Sequence, residues 1–351
     1  MLNILIMGAG AIGCFIGGHL AAAGHQVTLV GLSDLIPKIA TAGLVLRWPN
    51  QSDQTVFPPT ATTLVPPKTP YDFIVFTVKS PDTATAAQQL AALPLVTTNT
   101  HVISFQNGIG NEERLAELFG KQQVMAGTLT IPISLPELGV IEVSKAKGGL
   151  GVAPLAAGQP VDILTGALNQ AGLPTTTYTD YRAMKWTKLL LNILCNASSA
   201  ILNETPAQVL ACTDLFNMEI NALREGTDVI KAQGVKVVKL PGYPSVWMGR
   251  AVAARWLPLP VTRALLGPFA RGGRGRKMPS LQIDLAAGRP TSEIEVMNGA
   301  IVRAGQEVGV PTPVNSALTT ILRGLFAGEL NWNDYQHRPD KLLAAIQNES
   351  R

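Results

Sequence analysis

Residues 3–30 read NILIM-GAGAIG-CFIGGHLAAAGH-QVTLV, and this stretch decides the fold. Asn3–Met7 is an apolar run of strand length. Glycines follow at once, and a helical stretch then runs to about Ala23. Gln26–Val30 is the next run, with Val27, Thr28 and Val30 β-branched. Between the first strand and the helix each glycine has a physical reason. Gly8 permits a tight turn, Gly10 lets the backbone approach a pyrophosphate, and Gly13 lets the helix lie close on the strand. The helix N-terminus then faces the anion. Gly8, Gly10, Ala11, Ile12 and Gly13 are therefore the candidate dinucleotide contacts.

Outward from there the first half keeps alternating. Phe73–Val78 and Val102–Phe105 read as fully buried strands, and Pro81–Leu93 and Asn111–Leu118 as helices between strands. That alternation predicts an α/β fold, a doubly wound parallel sheet of the Rossmann type. Val124–Thr130, Val140–Val143 and Leu150–Ala153 carry more glycine and read as an edge or extension of the sheet. After about Tyr178 the pattern turns helical: Asp180–Asn203 as one long helix, then Leu215–Gln233, Ser280–Ala287, Ile294–Val308 and Val314–Phe326. The expected organisation is a dinucleotide-binding domain over 1–179 and an all-helical domain over 180–351, with the active site where they meet. Residues 234–278 are Pro/Gly-rich, end in the basic run Arg271, Arg274, Arg276, Lys277, and read as an insertion with short amphipathic helices. A solvated face is the first reading of that insertion, with a lid as one alternative. A homodimer contact is the second, because Trp247, Trp256 and Phe269 would otherwise be partly exposed.

Composition excludes several classes. The 351 residues suggest two domains, and 46% hydrophobic content is ordinary for a globular chain. A net charge of +4 and 5% aromatics do not describe a nucleic-acid binder. Cys14, Cys195 and Cys212 form neither a disulfide framework nor a CxxC site, and His19, His25, His101 and His337 include no HxxxH pair, so no metal is expected. Residues 1–33 lack Asp, Glu, Lys and Arg, but the missing basic leader and the many glycines argue against a membrane helix or signal peptide. Cytoplasm is the expected compartment, with no membrane and no nucleic-acid partner.

The remaining motifs concern chemistry. No acid stands at Val30–Ser33 to hold a ribose 2′-hydroxyl, so NADP is favoured over NAD, with Ser33 and Lys38 sharing a 2′-phosphate. Lys79 and Asn107 each follow the carboxyl end of a buried strand, where ligands of open α/β sheets bind. On the long helix Lys188, Asn192 and Asn196 are spaced i, i+4, i+8, which puts them on one face, with Lys185 three residues before Lys188. Ser280 and Glu293, followed by Glu295, Asn298 and Gly299, form a further polar group. One of these carboxylates could face the stripe.

With GAGAIG at 8–13, VKS at 78–80, QNG at 106–108, W-x-K-L-x-x-N-x-x-x-N at 186–196 and PSLQ-x-D…GRP-x-x-E-I-x-x-x-N-G at 279–299, the chain resembles the ketopantoate reductase family over nearly its whole length. The resemblance implies NADPH-dependent reduction of 2-dehydropantoate to pantoate, a step of pantothenate and coenzyme A biosynthesis. It also implies Lys188 as catalytic lysine, Glu293 as active-site glutamate, and Asn107, Asn192, Asn196 and Ser280 as substrate contacts. Three features depart from the family pattern: Leu32 where an arginine is usual, one extra residue between Ser280 and Glu293, and the long 234–278 segment. The alternatives are a paralogue reducing another small branched 2-keto acid, and a non-catalytic protein that senses NADP(H).

Overall fold

The structure is a computed structural model, and it describes residues 1–66, 70–265 and 277–349. Among the described residues twelve strands lie in the first half of the chain: β1 (Asn3–Met7), β2 (Gln26–Val30), β3 (Leu44–Arg47), β4 (Gln54–Val56), β5 (Thr60–Thr62), β6 (Phe73–Phe76), β7 (His101–Ser104), β8 (Val124–Leu129), β9 (Ile133–Glu137), β10 (Val140–Val143), β11 (Leu150–Pro154) and β12 (Thr175–Thr177). The chain divides into two compact units. The first holds 1–106, 110–185 and 240–243, and the second holds 107–109, 186–239 and 244–351.

The first unit is built on an eight-stranded sheet of order β12-β11-β8-β7-β6-β1-β2-β5. Six of its strands are parallel; β11 and β12, parallel to each other, run antiparallel to those six. β1 lies between β2 and β6, in register Ile4↔Val27 and Ile4↔Phe73, so the chain changes direction across the sheet there. Such a switch opens a crevice beyond the carboxyl ends of the strands. Parallel strands are covered on both faces, which is why FIVF in β6 is apolar and buried throughout. The helix Ala11–Ala22 packs on β1 through a residue without a side chain: a Cβ on Gly17 would lie 3.1 Å from Ile6 Cγ1.

Val140–Val143 does not extend the main sheet as its glycine-rich context suggested. It pairs with β3 and β9 in a separate four-stranded sheet of order β4-β3-β10-β9. Leu44 and Leu46 of that sheet are buried against Gly18 of the first helix, so the second sheet shares the core of the first. Among the described residues the last strand ends at Thr177, and none has a helix long and apolar enough to cross a membrane.

The second unit is helical. Its centre is Thr213–Ala232, which packs against Pro206–Ala211, Ser245–Ala253, Asn298–Val308 and Pro313–Ala327. Two carboxylates on this helix, Glu219 and Glu225, are buried. Glu225 accepts from the N–H groups of Val314 (2.8 Å) and Asn315 (2.9 Å), which saturates the start of the helix Pro313–Ala327. Burial holds its carboxyl above the usual carboxylate range, and those two N–H groups oppose the rise. Within the insertion, Arg255 pairs with Asp228, and Arg263 lies over the Phe216 ring and donates to Thr213 Oγ1 and the Ala211 carbonyl. Both arginines are thus tied to the central helix, Arg255 from an exposed position and Arg263 from a half-buried one. Trp247 and Trp256 are 41% and 81% exposed. Phe269 and the basic residues Arg271, Arg274 and Arg276 lie outside the described residues.

Acid should weaken this fold. His19 is buried, bonds Phe15 O through Nδ1 and accepts from Trp48 Nε1, an arrangement that needs the neutral ring. Burial lowers the affinity of His19, His25 and His101 for a proton below the usual histidine value. The unfolded chain therefore takes up protons first, so this contribution is complete above about pH 6.5 and declines as the pH falls below it. The urea midpoint is expected to drop between pH 7.5 and pH 5.5, and a flat profile would contradict the assignment.

Candidate functional site

At the carboxyl end of β1 the chain turns through Gly8, whose φ of 113° is closed to other residues. The N–H groups of Gly8 and Ala9 both donate to Val30 O of β2. Thr77 Oγ1 donates to Gly8 O at 2.7 Å, so the end of β6 clamps the loop from the other side. That role of Thr77 was not evident in the sequence, where it stood only as the first residue before Val78-Lys79-Ser80. Gly10 is exposed, and a Cβ there would have no atom within 4 Å. The helix Ala11–Ala22 starts at this point without a side-chain cap. An uncapped helix start beside open space at a glycine fits the pyrophosphate of a dinucleotide.

Beyond β2, Leu32 is 75% exposed and Ser33 donates to Asp34 Oδ1 at 3.0 Å. Lys38 is exposed on the helix Ile36–Ala42. Lys79 is half-buried and precedes the 3₁₀ turn Ser80–Asp82. All of these belong to the first unit.

The candidate substrate residues gather in the second unit. Asn107 belongs to it although β7 does not. Gly108 packs on Val296, where a Cβ would fall 2.4 Å from the carbonyl oxygen, and Ile109 N donates to Val296 O at 2.9 Å. Asn192 Nδ2 donates to Asn107 Oδ1 at 3.1 Å. Lys188, half-buried, lies one turn before Asn192 on the same helix face.

Asn196 does not continue that face, as a single helix over Asp180–Asn203 would require. The helix ends at Ile193, Cys195 takes a left-handed conformation with φ of 55°, and a new helix runs over Asn196–Leu202. The cause is Glu219, which is buried and accepts from Cys195 N at 2.8 Å and from Ser198 Oγ. A carboxylate at that point satisfies the N–H of Cys195 at the start of the new helix and holds the Ser198 hydroxyl in its first turn. Asn196 then faces another set of partners: Leu281 N donates to its Oδ1 at 3.3 Å, and its Nδ2 lies 3.6 Å from Met297 Sδ. Ser280 opens the helix Ser280–Ala286, so Asn196 joins the Ser280 segment to the one following Glu293.

Ile294–Val308 is also not one helix. Glu293–Val296 is a 3₁₀ turn capped by Ser292, and the α-helix starts at Asn298. The turn separates its two carboxylates. Glu293 is 5% exposed, whereas Glu295 is half in solvent and bridges Arg303 and Arg323. Only Glu293 remains a candidate for a site.

The profile described as "Ketopantoate reductase PanE/ApbA" matches residues 4–156, and "Ketopantoate reductase PanE/ApbA C terminal" matches 180–326. The chain is 30% identical to the 2-dehydropantoate 2-reductase of Pyrococcus horikoshii over 92% of this chain and 97% of that one. It is 29% identical to the Halobacterium salinarum enzyme of the same name, over 92% and 98%. Among solved structures, a PanE/ApbA family ketopantoate reductase from Ralstonia eutropha superposes with a TM-score of 0.76 at 28% identity, covering 93% and 99% of the two chains. D-Mandelate dehydrogenase with NADH and anilino(oxo)acetate reaches the same TM-score at 22% identity, over 93% and 99%, a likeness of fold alone.

Proposed function

Because the chain belongs to the ketopantoate reductase family, we propose that this oxidoreductase reduces 2-dehydropantoate to pantoate with NADPH, in the synthesis of pantothenate. The names of its curated relatives support the reaction. The observation that carries it in this chain is the grouping of Asn107, Asn192 and Asn196 with the Ser280 and Glu293 segments in one unit that also holds Lys188.

Gly8, Gly10, Ala11, Ile12 and Gly13 would hold the pyrophosphate, with Lys79 and Asn107 as further cofactor contacts and Ser33 with Lys38 at the 2′-phosphate. When bound, the nicotinamide supplies the hydride. The protein's own work is to position the ketone and provide a proton. Lys188 donates that proton to the oxygen as negative charge develops there, and its ammonium stabilises the charge before transfer. Asn107, Asn192, Asn196 and Ser280 hold the carboxylate and hydroxyl ends of the substrate. Glu293 sets the charge of Lys188 or binds a substrate hydroxyl.

One observation favours NADH instead. Ser33 donates to Asp34, and a carboxylate at that place repels a phosphate and suits a ribose hydroxyl. Oxidation of NADPH and of NADH, each assayed against a panel of 2-keto acids, tests both levels. NADPH with ketopantoate is expected to give the highest kcat/KM, by roughly 10-fold or more. Preference for NADH would assign the ribose to Asp34. Tight NADPH binding without turnover of any keto acid would make the protein a sensor.

A further inference from the structure

Lys185 precedes Lys188 by one turn, yet its ammonium is spent elsewhere. It is 4% exposed and forms an ion pair at 2.7 Å with Glu112, which is 1% exposed. Its Nζ also donates to Gln106 O at 2.7 Å and lies 3.4 Å from Gly127 O. The Lys185 ammonium thus ties together Gln106, the second residue after β7, Gly127 of β8 and, through the ion pair, the helix Asn111–Phe119. Gln106 is held by its side chain as well: Nε2 donates to Val78 O at 2.9 Å and to Thr83 Oγ1 at 2.7 Å, and Oε1 accepts from Ser104. The next residue is Asn107, which then turns away through Gly108 with φ of 85°.

A buried ion pair is a weak source of stability, since apolar residues of the same volume often serve as well or better. What such residues cannot do is aim a carbonyl. Burial pushes the Glu112 carboxyl above the usual carboxylate range, and the Lys185 ammonium opposes that rise. Both charges are thus buried at a cost.

We propose that the buried Lys185–Glu112 pair is a positioning device for Asn107, acting through the Gln106 carbonyl; this rests on the reading of Asn107 as a substrate or cofactor contact. The pair fixes where the chain leaves β7, and Asn107 is then presented to Asn192 at the distance observed.

The test is Lys185→Met/Glu112→Leu, which replaces the pair by apolar groups. Thermal stability should be kept, while hydrogen exchange of the ligand-free protein over residues 106–110 becomes roughly 10-fold faster. KM for ketopantoate should rise roughly 10-fold with kcat within about threefold of the parent, because binding geometry is lost rather than the proton donor. Adding Asn107→Ala to the pair variant should cost little more than Asn107→Ala alone, since both act through one side chain. Unchanged exchange over 106–110, or losses that simply add, would overturn the proposal. If the double variant does not fold, Glu112→Gln keeps the side-chain volume and is read in the same ways. Faster exchange in a protein whose wild type turns over no keto acid would leave the positioning intact and remove the functional reading of Asn107.

Discussion

Lys188→Ala should lower kcat by roughly 10²–10⁴-fold, the usual scale for losing a general acid. Reduction of a ketone leaves an alkoxide, and without a donor the proton must come from water. KM should change little, because the asparagines and Ser280, in the proposed roles, would bind the substrate in ground and transition states alike. Cofactor affinity should survive, since the glycine-rich loop lies in the other unit. Lys188→Arg separates two roles. Arginine keeps the charge but does not give up its proton, so it should restore binding of a developing negative charge and leave proton transfer slow. Full activity of Lys188→Arg would mean that charge alone matters. Lys185 is the rival on the same helix, but its ammonium is already shared among Glu112, Gln106 and Gly127 in a buried place. Lys185→Ala should therefore act through binding and stability, not through the chemical step. If it abolished turnover while Lys188→Ala kept most of it, the assignment of the proton donor would fail.

What could be read from the sequence divides along physical lines. β1, the glycine loop and β2 were legible because a parallel sheet covers both faces of its strands, which makes them continuous apolar runs, and because glycine marks the turn between them. Of the second sheet only Val140–Val143 was legible as a strand, and its partners were not. Gln54–Val56 is mostly exposed, and Ile133–Glu137 contains Pro136, so neither shows a buried run nor a clean alternation. The break after Ile193 was hidden for a different reason. Nothing in LLLNILCNASSAIL stops a helix locally, with neither Gly nor Pro in it. The stop comes from Glu219, 24 residues beyond Cys195, through a buried hydrogen bond. A pattern of period 3.6 carries no information about such a partner. Lys188 and Asn192 kept their common face because they precede the break. Asn196 lies beyond the break and turns instead to Leu281 N and Met297 Sδ.

The two glycines of the loop should respond in opposite ways to the same added methyl group. At Gly13 a Cβ would lie 2.0 Å from Gly8 O and 2.6 Å from Thr77 Oγ1. The first of these is backbone in the turn itself and cannot move aside without undoing the φ of 113° at Gly8. Gly13→Ala should therefore push the helix off β1, at a cost of about 1–3 kcal/mol or more, and weaken NADPH binding with it. At Gly10 the added Cβ meets nothing within 4 Å, and φ of −80° with ψ of −170° is open to alanine. Without ligand, Gly10→Ala should even stabilise the fold by about 0.4–1 kcal/mol, through a less flexible unfolded chain. Its effect should appear only when the cofactor binds, because the methyl group stands where the pyrophosphate must approach the backbone. A displacement of that order is enough to lose roughly 10²-fold. Unfolding curves with and without NADPH, read beside the dissociation constants, separate the cases. Normal NADPH affinity in Gly10→Ala would show that the phosphates pass elsewhere, and the helix start at Ala11 would then need another explanation for its missing cap.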